Sequence, residues 1–266
     1  SGMVLDGSNV ASQTVKFDHS FSPPENAHHI RLIRNDIMNS PNAGILGGTD
    51  CEVIGNRIHG ARAYGIYTGG GGSGGLIEGN IIYDNGGFGI HLFEQNHPVN
   101  GWVIRNNIFY GNGIGMLKRK PKTPENPEGT PKWETGYPAV ILSRGSSQFY
   151  NNIVYNNHGG GVQVALGAVD TLVANNTIYG NGTYGINLIA PQPGNAGSTK
   201  ARVINNISYG NAGSQIDDNG VNTTLQNNLT TDPGFVNAAT GDFGIQAGSP
   251  AIDKGMTLAQ VPTDFT

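Results

Sequence analysis

An asparagine followed by a short apolar run recurs eight times along this chain, at Asn35, Asn56, Asn80, Asn107, Asn152, Asn176, Asn206 and Asn228. The intervals are 21, 24, 27, 45, 24, 30 and 22 residues, the length of one solenoid coil, with a larger insertion in the fourth. Each anchor opens a strand-like segment, as in Asn80-Ile81-Ile82-Tyr83 and Asn152-Ile153-Val154-Tyr155, and a turn rich in Gly and Asn follows. A second short strand then begins on a Gly-apolar pair: Gly44-Ile45, Gly65-Ile66, Gly89-Ile90, Gly161-Val162, Gly185-Ile186. Runs this short, punctuated by residues that tolerate positive φ, are incompatible with helices. Coils stacked at about 4.8 Å would instead build long parallel sheets, with asparagine side chains hydrogen-bonded from coil to coil. The period predicts an all-β, single-stranded parallel β-helix of about eight to ten coils.

Composition fits one elongated domain. Charged residues make up 13% of the chain, about half the usual globular share, yet the periodic apolar residues can fill a continuous core. The expected organisation is a β-helix over residues 1–231, with a loop insertion at 118–138, and an irregular C-terminal cap or return segment over 232–266. A net charge of −4 gives no general attraction for nucleic acid or anionic membrane. No apolar run reaches the ~20 residues of a membrane span. The single Cys51 excludes an internal disulfide and is expected to pack as a small buried hydrophobe. Ser1-Gly2-Met3 reads as a cloning remnant at which an export signal would have been cut away. No amphipathic capping helix precedes Val4, so an open N-terminal end is expected: either the chain is a fragment, or the end is blunted in a homo-oligomer.

Side-chain direction follows from the period of two. Ile37, Ile58, Ile82, Phe109, Val154 and Ile178 form an apolar column that must face inward. Ile81, Ile108, Ile153 and Ile207 then face outward with Tyr83, Tyr110, Tyr155, Tyr179 and Tyr209. That exterior aromatic stripe is larger than scattered surface residues explain. Three readings are open: a self-stacking ladder or a strip covered by the C-terminal segment, a face for a partner subunit in a homo-oligomer, or a sugar-stacking platform. In the second strand the outward column reads Tyr67, His91, Gln163, Asn187 and Asp217. It suits a sugar-binding groove, and equally a solvated sheet face.

Beside that column the insertion departs from the solenoid. It carries Lys118-Arg119-Lys120-Pro121-Lys122, then Glu125, Glu128, Trp133, Glu134 and Tyr137. Long loops on a rigid scaffold are where function concentrates, and the basic run is either a solvated loop or an anion-binding element. His91, Glu94 and His97 lie close together in sequence, but they leave a strand for a loop at Pro98 and lack the helical spacing of a zinc motif. Structural hydrogen bonding or acid–base chemistry is therefore preferred to metal, and no motif supports a cofactor, calcium included. His59, Arg62 and Arg144 are further candidates for carboxylate or hydroxyl contacts. Sequons at Asn175, Asn181, Asn206, Asn222 and Asn228 are explained by chance in an Asn-rich chain.

The repeated Asn-Asn-Ile/Thr segments paired with Gly-Ile/Val strands resemble the right-handed parallel β-helix proteins of the pectate-lyase-like superfamily. Asp232-Pro233-Gly234-Phe235 and Gly248-Ser249-Pro250-Ala251-Ile252-Asp253 resemble the tail that often closes such proteins in bacterial secretomes. The resemblance covers roughly residues 30 to 230 and implies a secreted bacterial protein acting on polysaccharide. That superfamily also holds hydrolases, epimerases, phage spikes and adhesins. A lyase on uronate polymers needs a cation to neutralise the carboxylate and a base for the proton at sugar C5. His91, Lys118 and Glu94 are the expected catalytic residues. Tyr67, Arg119, Lys120, Trp133, Arg144, Gln163 and Asn187 are the expected substrate contacts. A hydrolase would need two carboxylates about 5 to 9 Å apart, and Glu94 and Asp217 are separated by several coils. No paired-Asp motif of the polygalacturonase kind and no Asp-Pro-His-Glu of the epimerase kind is found, which disfavours those two subfamilies for this chain. The competing classes are a non-catalytic carbohydrate-binding or adhesin-like solenoid and a structural, oligomerising one.

Overall fold

The computed structural model describes residues 2–10, 13–16, 28–68, 73–93, 99–119 and 131–261. Three parallel sheets wrap a common axis as a β-helix. The first runs from Val4–Asp6 through Asp36–Met38, Arg57–His59, Ile81–Tyr83, Ile108–Tyr110, Ile153–Tyr155 and Thr177–Tyr179 to Ile207–Tyr209. The second runs from Val15–Lys16 through Ala43–Leu46, Tyr64–Tyr67, Ile90–Leu92, Val140–Gly145, Val162–Val169 and Ile186–Leu188 to Ile216–Asp218. The only helix among the described residues is a short 3-10 turn, Ala238–Thr240.

Each coil holds a third strand that the repeat pattern conceals. This third sheet contains Cys51–Ile54, Gly75–Glu78, Trp102–Arg105, Ser147–Tyr150 and their equivalents. Only two residues, such as Gly55-Asn56, separate each from the first-sheet strand that follows. Strand, turn and strand therefore read as one segment. The turn bends because its first residue takes positive φ: 65° at Gly55, 64° at Gly79, 56° at Asn106, 53° at Asn151, 52° at Asn175 and 58° at Asn205. Gly, or an Asn that tolerates this region, is the residue that fits there. This accounts for the Asn-Asn doublets: the first bends the chain and the second enters the ladder.

All eight anchors join that ladder. Successive Nδ2 to Oδ1 bonds link Asn35, Asn56, Asn80, Asn107, Asn152, Asn176, Asn206 and Asn228 at 2.9–3.2 Å. Each amide also satisfies backbone; Asn152 Nδ2 donates to Ile104 O at 3.0 Å and Tyr150 O at 2.9 Å. A second ladder, not apparent in the sequence pattern, turns the corner from the first sheet to the second. It links Asn85, Asn112, Asn157, Asn181 and Asn211 at 2.8–3.0 Å and ends on Gln215.

The inward columns fill the bore. Ile37, Ile58, Ile82, Phe109, Val154 and Ile178 are fully buried, as their periodicity predicts. Trp102 fits because its in-register neighbours are small, Gly75 on one side and Ser147 on the other. A Cβ at Gly75 would lie 2.5 Å from the Trp102 ring. Cys51, beyond Gly75, is fully buried, and burial pushes its thiol pKa up.

After the last coil, Phe235–Asn237 and Asp242–Ile245 form an antiparallel hairpin. The two tail motifs meet there, where Ser249 Oγ donates to Pro233 O at 2.6 Å. The chain then returns along the third sheet. Asn205 grips the Met256 backbone through both N–H and C=O, at 3.0 and 2.8 Å, and Leu258 and Val261 pack on Tyr150, Leu172, Ala174 and Ile204.

Candidate functional site

The first sheet presents the aromatic stripe. Tyr83 and Tyr110 stack at 5.0 Å with an interplanar angle of 12°, and His59 stacks on Tyr83 at 4.6 Å, also at 12°. Rings stacked face to face along the axis show solvent their edges, whereas a sugar stacks on a face. Phe243 of the C-terminal hairpin lies 5.1 Å from Tyr155 and 5.7 Å from Tyr179. The stripe is thus self-stacking and partly covered by the chain's own tail. His59 is engaged with Asp36 at 2.9 Å.

The second sheet is built differently. Its outward column reads Tyr67, His91, Ile141, Gln163, Asn187, Asp217 by register. Ile141, from the coil after the insertion, interrupts the polar run expected from sequence. It is buried with Phe88, Met116 and Ala165 in an apolar cluster outside the bore. That cluster anchors the insertion, whose described part is an antiparallel hairpin of Met116–Arg119 with Pro131–Glu134. In the hairpin register Lys118 stands opposite Lys132, Arg119 opposite Pro131, and Trp133 opposite Leu117. Tyr137 Oη donates to the Glu134 carboxylate. Glu94, His97 and Lys120 lie outside the described residues.

His91 is surrounded by rings. Phe88 lies at 4.6 Å, Tyr67 and Phe93 at 5.2 Å and Tyr64 at 5.4 Å. The Arg144 guanidinium covers Phe93 at 5.5 Å, so His91 and Arg144 flank one phenyl ring. Tyr64, Phe88 and Phe93 were not among the sequence candidates, although Phe93 shares the outward parity of His91 two residues earlier. Arg144 sits where the ladder between Val140–Gly145 and Val162–Val169 slips, between Ser143 and Gly145. Its φ is 58°, a region costly for a side chain of this kind. Arg144 Nε is buried with no hydrogen-bond partner among the described residues, and so is Asn187 Oδ1. Strain and unmet hydrogen-bonding capacity thus coincide on this face. No group of three or more His, Cys, Asp and Glu that could hold a metal ion occurs among the described residues. Nor, among them, is any helix long and apolar enough to cross a membrane.

Solved structures with similar coils include the periplasmic alginate epimerase AlgG, at 22% identity and TM-score 0.56 over 74% of this chain and 44% of that one. Pectate lyase Pel9A matches at 17% identity and TM-score 0.61, over 88% of this chain and 62% of that one. The A-module of the Azotobacter vinelandii mannuronan C-5 epimerase AlgE4 matches at 13% identity and TM-score 0.55, over 79% and 63%. The chain spans about half the length of the alginate epimerase structures, 54% and 44% in two of them. No curated protein matches the sequence. At these identities the likeness establishes the shared coil architecture. The profile of the right-handed β-helix region matches residues 4–121 and 132–249, and the chain belongs to that family.

Proposed function

We propose that this is a carbohydrate-active β-helix protein, working outside the cytoplasm, that binds an acidic polysaccharide along the second sheet and cleaves it by β-elimination. The observation that carries the reading is Arg144: a strained residue with a buried, unpartnered N–H, on the face that also bears His91 and a basic hairpin. A buried donor without an acceptor costs about 1–3 kcal/mol, which a bound carboxylate would recover through a charge-assisted bond. The relatives named as pectate lyase and alginate epimerase support the substrate class by their coil architecture.

In this reading Arg144 holds the uronate carboxylate and stabilises the charge that develops when C5 loses its proton. Neutral His91 takes that proton. The electron pair forms the C4=C5 double bond, the C4–O bond breaks, and the departing oxygen takes a proton from solvent. Lys118, Arg119 and Lys120 add positive potential from the insertion, while Tyr67, Trp133, Gln163 and Asn187 contact the chain. Binding without cleavage is the second reading, favoured by the close packing of His91 among four rings.

Incubation with a panel of uronate polymers, followed by the ultraviolet absorbance of unsaturated ends, separates the two. Product that vanishes in His91→Ala with binding retained supports elimination. Binding without product supports the second reading, and Arg144→Gln with unchanged affinity for every polymer removes both.

A further inference from the structure

The second sheet leaves a donor and an acceptor unanswered at different positions along the axis. Arg144 Nε lacks an acceptor, and Asn187 Oδ1 lacks a donor. Val140–Gly145 pairs with Val162–Val169, which pairs with Ile186–Leu188. The two orphans are therefore two coils apart, about 9–10 Å along the axis at the usual strand spacing, and offset along the strands, since Asn187 is in register with Ile141, three residues before Arg144. On the intervening coil neutral Gln163 is in register with Asn187 and with Ile141. In register beyond Asn187 comes Asp217, half-buried, with Asn219 Nδ2 donating to one carboxylate oxygen at 2.9 Å. Its neighbour Asp218 is occupied elsewhere, accepting from Gly220 N at 3.1 Å and Thr223 Oγ1 at 2.6 Å.

An ionised carboxylate is an acceptor only, whereas a sugar hydroxyl both donates and accepts. A uronate at Arg144 answers the orphan N–H. A second uronate further along the column would leave the Asn187 acceptor unanswered and set negative charge against Asp217.

We infer that the polymer taken here is a heteropolymer, with a carboxylate-bearing unit at Arg144 and neutral, hydroxyl-bearing units across Gln163, Asn187 and Asp217. Asp217 is the residue that rejects runs of consecutive uronates. This rests on the acidic-polysaccharide reading above and adds to it the pattern of charge along the ligand.

Calorimetric titration of two oligosaccharides of equal length tests it: a homopolyuronate and an alternating uronate–neutral hexose chain. The wild-type protein should prefer the alternating chain by about tenfold or more at low salt, and the preference should shrink as ionic strength rises. Asp217→Asn should close most of the gap by raising affinity for the homopolyuronate, and Asn187→Asp should widen it. Circular dichroism confirms that both variants keep the coil. Equal or tighter binding of the homopolyuronate by the wild type, or an affinity ratio unmoved by Asp217→Asn, overturns the inference while leaving the acidic-polysaccharide reading intact. If neither oligosaccharide binds, that reading fails and the inference falls with it.

Discussion

Two exterior faces of one solenoid have reached opposite states. On the first sheet His59, Tyr83 and Tyr110 stack on one another, and Phe243 covers Tyr155 and Tyr179. On the second sheet an equally aromatic cluster holds a histidine, supports a basic hairpin and borders a buried guanidinium N–H without a partner. Aromatic content does not distinguish them. What does is the buried Arg144 N–H and Asn187 side-chain carbonyl left without partners among the described residues on the second sheet, which is why the proposed ligand is placed there.

Both faces depend on the same registration of coils, so breaking a ladder should erase the contrast altogether. Asn152→Ala removes bonds to Ile104, Tyr150 and Asn176 and the acceptor for Asn107, all within the stack. With several buried groups left unpaired, the loss is expected to reach about 3–5 kcal/mol. Chemical denaturation reads it directly. A loss under about 1 kcal/mol would mean that the ladder is ornamental.

Replacing Arg144 by glycine should sharpen the contrast by separating binding from stability. Glycine tolerates φ of 58° at no steric cost, so stability should hold or rise by up to about 1 kcal/mol. Affinity for an acidic oligosaccharide should fall by about tenfold to a hundredfold. A variant that loses stability and keeps affinity would make Arg144 a packing residue over Phe93.

The converse holds on the other sheet. Phe243→Ala strips the cover from Tyr155 and Tyr179 and loosens Phe235, 5.2 Å away. Thermal unfolding should register a loss of about 1–2 kcal/mol, with oligosaccharide affinity unchanged. A fall in affinity would show that the first sheet takes part in binding.

How much of this contrast is legible in the sequence depends on which physical rule carries each part. The anchor ladder is legible because all eight positions use the same side chain. Its companion at Asn85 to Asn211 is harder to see, since Ser40 and Ala61 replace the amide in the earlier coils. The inward columns follow from a period of two. The third strand is hidden by a two-residue turn whose bend depends on backbone φ. At the site, the column from Tyr67 to Asp217 is legible except at Ile141, which the insertion shifts out of the regular spacing. Arg144 was a candidate by charge alone. Its positive φ carries no sequence signal, because Gly and Asn are the residues that ordinarily announce that conformation. The sequons at Asn181, Asn206 and Asn228 fall on ladder amides already committed to the stack.

The smallest effect expected is a difference in alkaline response. Burial raises the phenol pKa of Tyr110 and Tyr155 above the ordinary value near 10. A group that holds its proton more tightly when folded contributes stability in full below its unfolded pKa. That contribution fades as pH rises from about 10 through the folded value. The first sheet should therefore weaken as these phenols ionise, each charge forming in a partly buried stack where Arg57 already donates to Tyr83 Oη at 2.8 Å. Tyr155→Phe and Tyr110→Phe remove the ionisation and keep the ring, so their stability curves should be flatter than the wild type as pH rises above about 10. The measurement is urea unfolding at half-unit pH steps, with His91→Phe as the second-sheet comparison, for which the slope in that window should match the wild type. Parallel slopes in all four proteins would mean that the Tyr stripe is solvated rather than packed, and the contrast between the two faces would then reduce to the Arg144 site alone.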